Sequence, residues 1–168
     1  NRASNVRIVA VAAADRSGEV SIAFGGDHNS GSSSIVDGSP NERSRVVRSE
    51  RLDRVLSDEE RRRARLIKID VEGAEQEVLA GLDLGSSLYR NDLELVVEIT
   101  PERWPDRASA ADLVRQMQVY GFNAYRLEEP LRFRHYLPGA PTGCPVRVAS
   151  PTVRYATLVF SRLDRDAL

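Results

Sequence analysis

Ten consecutive residues, Leu66-Ile67-Lys68-Ile69-Asp70-Val71-Glu72-Gly73-Ala74-Glu75, constrain this chain more than any other stretch. Residues 66–71 form a short, nearly apolar run, the pattern of a strand covered on both faces. Gly73 then turns the chain, and Glu75, Gln76, Glu77, Val78 and Leu79 begin a helix. In open α/β sheets, ligands gather outside the carboxyl ends of such strands. Asp70 and Glu72 stand at that rim, so the segment reads as the edge of an active site.

Alternation puts Leu66, Lys68 and Asp70 on one face of the strand and Ile67, Ile69 and Val71 on the other. Lys68 is the only lysine in the chain. It therefore shares a side with Asp70, and an ion pair to Asp70 or to Glu98, near the end of the apolar run 93–99, is expected to hold a carboxylate in place. The same pair also reads as a structural salt bridge; its position at the carboxyl edge favours a functional role. Glu72 either contacts a substrate or caps the helix that begins at Gly73. Glu75 and Glu77 fall in the first helical turn, where carboxylates favour the positive end of the dipole, and Glu75 is left out of the site on that ground.

The rest of the chain alternates in the same way. Residues 6–12 and 19–24 read as strands joined by a turn at residues 15–18, a hairpin-like unit. Residues 25–41, rich in Gly, Ser, Asp and Asn, read as a long flexible loop. Residues 45–48 read as a short strand, and Leu52, Val55 and Leu56 recur at helical spacing on the way to Leu66. Ala74, Val78, Leu79 and Leu82 make an apolar stripe stopped by Gly81 and Gly85, and the strand at 93–99 ends where Pro101 blocks further pairing. A helix is expected over 112–120, a strand over 122–127, an inserted Pro/Gly loop over 130–151 and a last strand over 155–161.

Composition narrows the function classes. The balance of 24 basic to 25 acidic residues offers no field for nucleic acid or a membrane surface. The one basic cluster, Arg61-Arg62-Arg63 with Arg65, follows Asp58-Glu59-Glu60 and reads as a solvated, locally neutralised helix face. Cys144 is the only cysteine, so no internal disulfide forms, and no Cys/His spacing would hold zinc; no metal site is expected. No apolar run approaches the roughly 20 residues that cross a bilayer, and the start lacks a signal-peptide core, so a single cytoplasmic domain over 1–168 is expected. Cys144, His28 and His135 all read as loop residues.

The order of the central residues resembles the signature of the FkbM family of S-adenosylmethionine-dependent methyltransferases, in which a Lys-Ile-Asp-Val-Glu-Gly-x-Glu run closes the fourth strand. Asn5-Val6-Arg7-Ile8-Val9 with Ala12-Ala13-Ala14-Asp15-Arg16-Ser17-Gly18 is similar to that family's third strand and following turn. Asn29-Ser30-Gly31-Ser32-Ser33-Ser34 is similar to its next loop, and Leu95-Val96-Val97-Glu98-Ile99 to its fifth strand. The family's opening strand, its Gly-x-Gly turn and the acid ending its second strand have no counterpart here; Gly25-Gly26 and Gly31 neither follow an apolar strand nor open a helix. The resemblance therefore implies the C-terminal portion of an α/β, Rossmann-like class I methyltransferase fold. Its sheet would be mostly parallel with an antiparallel last strand, and would lack the first two strands. In the order 3-2-1-4-5-7-6 those two lie between the third and fourth strands, so residues 6–11 lose their neighbours. The strand at 66–71 would otherwise sit mid-sheet.

What the resemblance implies chemically is transfer of a methyl group from S-adenosylmethionine to a hydroxyl of a sugar, glycan or secondary metabolite, in an enzyme incomplete as it stands. Asp70, Glu98 and Lys68 are the implied catalytic group, with Asp70 also orienting the cofactor's sulfonium end and Glu98 meeting the acceptor hydroxyl. Ala14 and Asp15 are the implied cofactor contacts, Asp15 beside adenine, although Asp-Arg-Ser-Gly is equally a plain turn. Glu72 is the implied substrate contact. Trp104 lines the acceptor pocket or, preferably, covers the core edge. Two other readings stand beside this one: a catalytically inactive α/β binding or interaction domain, and a metal-assisted enzyme using Asp70, Glu72 and Glu98 as oxygen ligands.

Overall fold

The computed structural model describes residues 4–24, 33–35, 44–104, 109–127, 145–148 and 155–164. Cys144, His28 and His135 lie outside them, as does most of the two loops expected at 25–41 and 130–151. Within those loops, two short described stretches are strands.

The strands form two mixed sheets. The first has the order β1-β4-β2-β3, from β1 (Ala12–Ala14), β2 (Gly18–Phe24), β3 (Ser33–Ile35) and β4 (Ser44–Arg51). β4 pairs parallel with β1 and antiparallel with β2, so β1 and β2 are not partners and the expected hairpin is corrected. The reason lies in β4 itself. Its Ser49 donates to the Arg16 carbonyl and its Glu50 accepts from Ser17, which seats β4 between the two strands that the 15–18 turn joins.

The second sheet has the order β5-β6-β9-β7-β8, from β5 (Leu66–Ile69), β6 (Glu94–Ile99), β7 (Asn123–Leu127), β8 (Val146–Arg147) and β9 (Ala156–Ser161). β5 and β6 are parallel, β9 is antiparallel to both β6 and β7, and β8 is antiparallel to β7. The antiparallel last strand is therefore present, while the expected mostly parallel character is not; every other pair in this sheet is antiparallel.

The break between the sheets falls between β1 and β5. Residues 6–11 form no strand, and Val6, Ile8 and Val9 are exposed, Ile8 by 89%. Arg7 instead pins this stretch to helix α2 (Asp58–Arg63) through a two-pronged bond to Glu60, at 2.9 and 2.8 Å, and a bond to the Val55 carbonyl. β5 is consequently an edge strand and not a mid-sheet one. Leu66 is 60% exposed and Lys68 is also exposed, which corrects the expectation of a strand covered on both faces. No described strand occupies its outer side, and Leu66, Lys68 and Asp70, which alternate onto one face, are all exposed.

The core sits on the other face of the second sheet. Ile69, Leu95, Val97, Ile99, Leu158 and Phe160 alternate inward, and burying each such side chain contributes about 1.5–3 kcal/mol. Against them lie α3 (Glu75–Ala80), through Val78 and Leu79, and α4 (Ala110–Val119), through Leu113, Val114 and Met117. Ser109 caps α4 by accepting from the Asp112 backbone N–H. α1 (Leu52–Val55) and α2 make the expected link to β5, and a Ser57/Glu60 capping box opens α2. Its arginines are paired with Asp58 and Glu59, as the charge pattern predicts.

α3 ties the two sheets together. Gly81, at its C-terminal end, is required there because a Cβ would stand 2.1 Å from the Ala14 carbonyl oxygen. The Gly81 carbonyl also accepts from the Asp53 N–H at 2.9 Å.

Candidate active site

The end of β5 unwinds into a turn of left-handed backbone. Glu72 has φ 55° and Gly73 φ 118°. A glutamate in this region carries a conformational cost of about 1–2 kcal/mol, offset only by its surroundings. Arg103, from the single 3-10 turn Pro101–Arg103 after β6, supplies part of that support: its guanidinium meets the Glu72 carboxylate at 2.9 Å and the Glu72 carbonyl at 3.3 Å. Glu72 does not cap the helix. α3 begins at Glu75, its N-cap residue is Ala74, and no side chain caps it.

Glu75 is the largest surprise of the site. It is fully buried, and its carboxylate accepts three hydrogen bonds: from Gly73 N–H at 2.8 Å, from the Thr100 hydroxyl at 3.0 Å and from the Trp104 indole N–H at 2.5 Å. A helix-dipole preference explains its placement in the first turn, but not these contacts. They lock the turn after β5 to the turn after β6. Trp104 accordingly covers the core edge, as preferred from the sequence. An indole N–H in apolar surroundings needs an acceptor, a signal that would have pointed to a buried carboxylate such as Glu75, which the sequence reading left out.

On the opposite, uncovered face, Lys68 does both things expected of it. Its ammonium lies 2.8 Å from Asp70 Oδ2 and 2.8 Å from Glu98 Oε1. The hydrogen bonds it donates to Asp70 and then to Glu98 hold the ammonium above the ordinary lysine pKa, so it stays charged. Glu98 Oε2 accepts from the Tyr155 hydroxyl at 3.1 Å, which engages both of its oxygens. Asp70 is half-exposed, and among the described residues its Oδ1 takes no hydrogen bond. The three implied catalytic residues are thus brought together. Glu72 points instead to Arg103, and among the described residues no group of three His, Cys, Asp or Glu side chains is placed to hold a metal ion.

Ala14 and Asp15 line a separate cleft of about 290 Å³ between the 15–18 turn and the start of α3. Its wall includes Gly73, Glu77, Arg103 and Trp104; Lys68, Asp70 and Glu98 are not part of it. The turn that carries Asp15 is tightly held. Arg51 donates to the Asp15 carbonyl at 3.0 Å while gripping Asp53, whose pKa it lowers. Ser17 donates to Glu50 and accepts from Arg54, and the Ser17 bond is the main reason Glu50 sits below the usual carboxylate range. Sequence reasoning missed Glu77 and Arg103 in this cleft, because the docking of α3 against β1 brings the first, and the turn after β6, tied to Glu72, brings the second.

Two hydrogen-bonded sets of polar side chains lie at the carboxyl ends of β1 and β5, the rim at which α/β proteins gather ligands. A family model described as a methyltransferase FkbM domain matches residues 3–124, most of the chain. The chain belongs to the FkbM methyltransferase family. Comparison with curated proteins and with solved structures gave no match. No helix among the described residues is long and apolar enough to cross a membrane.

Proposed function

We propose that this chain is an S-adenosylmethionine-dependent O-methyltransferase of the cytoplasm, acting on a hydroxyl of a sugar, glycan or secondary metabolite. The observation that carries the reading is Asp70: a carboxylate at the carboxyl end of β5, fixed through Oδ2 by Lys68 and, among the described residues, open at Oδ1, in a chain of this family. The order β5-β6-β9-β7, with β9 antiparallel to both neighbours, supports a partial Rossmann-like methyltransferase sheet, since it matches the 4-5-7-6 end of that topology.

The Ala14–Asp15 cleft fits one end of the cofactor. It is at the small limit of ligand pockets, and carboxylates of Asp15, Glu19 and Glu77 are among the side chains that line it. S-adenosylmethionine, when bound, would supply a methyl group on a positively charged sulfur: the alcohol oxygen would form the new C–O bond as the C–S bond breaks, with S-adenosylhomocysteine leaving as the neutral thioether and the hydroxyl proton to be taken up. Asp70 Oδ1 accepts that proton. Lys68 holds Asp70 against rotation and ties it to Glu98, while Tyr155 fixes the far oxygen of Glu98. Glu72, steadied by Arg103, contacts the acceptor from the neighbouring turn. Positioning of this kind, with general-base assistance worth about 10²–10⁴-fold, is what the chemistry requires.

Calorimetric titration of S-adenosylmethionine into the full gene product tests the reading, and absence of binding sinks it. Asp70→Asn should lower turnover about 100-fold with an unchanged circular dichroism spectrum; an unchanged rate removes Asp70 from the mechanism.

A further inference from the structure

We infer that Arg103 is the residue that selects the acceptor, and that the acceptor carries a carboxylate beside its hydroxyls, as a uronic acid does. The inference rests on the transferase reading above and names the substrate class of the same site.

The guanidinium is arranged to receive a flat anion. Its stem lies over Gly73, where a Cβ would stand 3.0 Å from Arg103 Cβ and 3.5 Å from its Cδ. Nη1 is pinned by the Glu72 carboxylate at 2.9 Å and the Glu72 carbonyl at 3.3 Å. Those contacts engage one nitrogen; among the described residues, Nε and Nη2 donate to nothing. The two share one edge of the guanidinium, spaced for the two oxygens of a carboxylate. That edge is reachable, since 41% of the side chain is open to water. Glu72 makes the pin from left-handed backbone, φ 55°, and outliers of that kind cluster at active sites and ligand clamps.

The surroundings choose the anion and its place. Asp15, Glu19 and Glu77 line the cleft that Arg103 borders, and Arg16 is the other cation among its lining residues. Arg16 leans on Asp15 at 3.8 Å with 84% of its side chain in water, so it offers no fixed site. An anion is therefore repelled from the acidic walls and held at Arg103. A carboxylate carries one negative charge and a phosphoryl group about 1.5–2, so the same walls favour the carboxylate. Glu72, the partner of Arg103, follows Asp70 by two residues, at most about 7 Å of chain. A sugar acid held at Arg103 reaches Asp70 with a ring hydroxyl. Its carboxylate is a handle and does not react: the alcohol oxygen gains the methyl group as the C–S bond breaks, and Asp70 takes the proton.

The test uses the full gene product with S-adenosylmethionine, read by the fluorescence of Trp104, the only tryptophan and a wall of the same cleft, with calorimetry as a check. Glucuronate, galacturonate and mannuronate are each compared with the parent neutral sugar, which differs at the sixth carbon alone. At least one uronate should bind roughly tenfold more tightly than its neutral sugar, the size of one charge-assisted pair. In Arg103→Gln that preference should fall to parity or below, because the acidic walls remain. Arg103→Lys keeps the charge but loses the fork, and should retain no more than about threefold. A merely structural Arg103 would weaken acid and neutral sugar alike, and circular dichroism of both variants reports the fold. A uronate preference that survives Arg103→Gln overturns the inference, as does tighter binding of glucose 6-phosphate than of any uronate, or labelled methyl recovered as an alkali-labile ester. Loss of S-adenosylmethionine affinity in Arg103→Gln equal to the loss of uronate affinity assigns the guanidinium to the cofactor's own carboxylate and also overturns it. If the wild-type protein binds no uronate the inference fails; S-adenosylmethionine binding by that protein then leaves the transferase reading standing, and no binding shows both falling.

Discussion

Asp70 and Glu75 leave the same strand end, five residues apart, and meet opposite fates. Asp70 keeps 45% of its side chain in water, shares one lysine with Glu98 and has an oxygen to spare. Glu75 is 0% exposed and spends both oxygens on three donors, one from its own turn and two from the turn after β6. A carboxylate satisfied by internal donors is scaffold, because every donor it releases is left buried and unpaired. A half-exposed carboxylate held by one flexible ammonium at a sheet edge contributes little to the fold, and its removal costs little. The rigid acid positions the turn on which the half-exposed one stands.

The comparison breaks most easily at Glu75. Glu75→Ala strands the Gly73 N–H, the Thr100 hydroxyl and the Trp104 indole, and should destabilise the protein by about 3 kcal/mol or more in urea denaturation followed by Trp104 fluorescence. A loss below about 1 kcal/mol would mean that water satisfies these groups and that the turn is not locked.

A smaller effect sharpens the contrast by pH. On the scaffold side, Tyr89 is buried and donates to the Leu82 carbonyl at 2.8 Å. Burial pushes its pKa from an ordinary 10.0 up to about 12. The sign follows from the raised value: the contribution is whole below pH 10 and is lost as pH rises toward about 12, amounting to about 2–3 kcal/mol. Alkaline titration of stability in the wild type and in Tyr89→Phe should show that loss only in the former. The Lys68 ammonium, raised by its two carboxylates, stays charged through the start of the same window, so the exposed network should not be what fails first.

The smallest effect is expected at the site. Asp70→Asn should change unfolding stability by no more than about 0.5 kcal/mol, since it removes one half-exposed ion pair. A loss comparable to that of Glu75→Ala would make Asp70 a structural residue.

Much of the fold was legible along the chain. The segment 66–75 announced a strand, a turn and a helix, and β6, α4, β7 and β9 fall within about two residues of where periodicity puts them, because each carries an alternating or helical apolar face. Strand pairing was less legible. β1 starts at Ala12 although Val6 to Val11 look more strand-like, since a strand persists only where a neighbour takes its backbone groups, and β4 pairs, through Ser49 to Arg51, with Ala12 to Ala14 alone. β3 was hidden in a serine-rich stretch for the converse reason: pairing with β2 makes it a strand despite poor propensity.

The sequence by itself determined the family, the core-facing residues and the shared face of Lys68 and Asp70, all of which follow from spacing within one element. Only the tertiary structure decided that Lys68 reaches Glu98, that Glu75 is a buried hub and that Glu77 meets the Asp15 turn. Those contacts join residues far apart in the chain, and the docking of α3 against β1 and of the turn after β6 against the turn after β5 brings them within hydrogen-bond range or into one cleft.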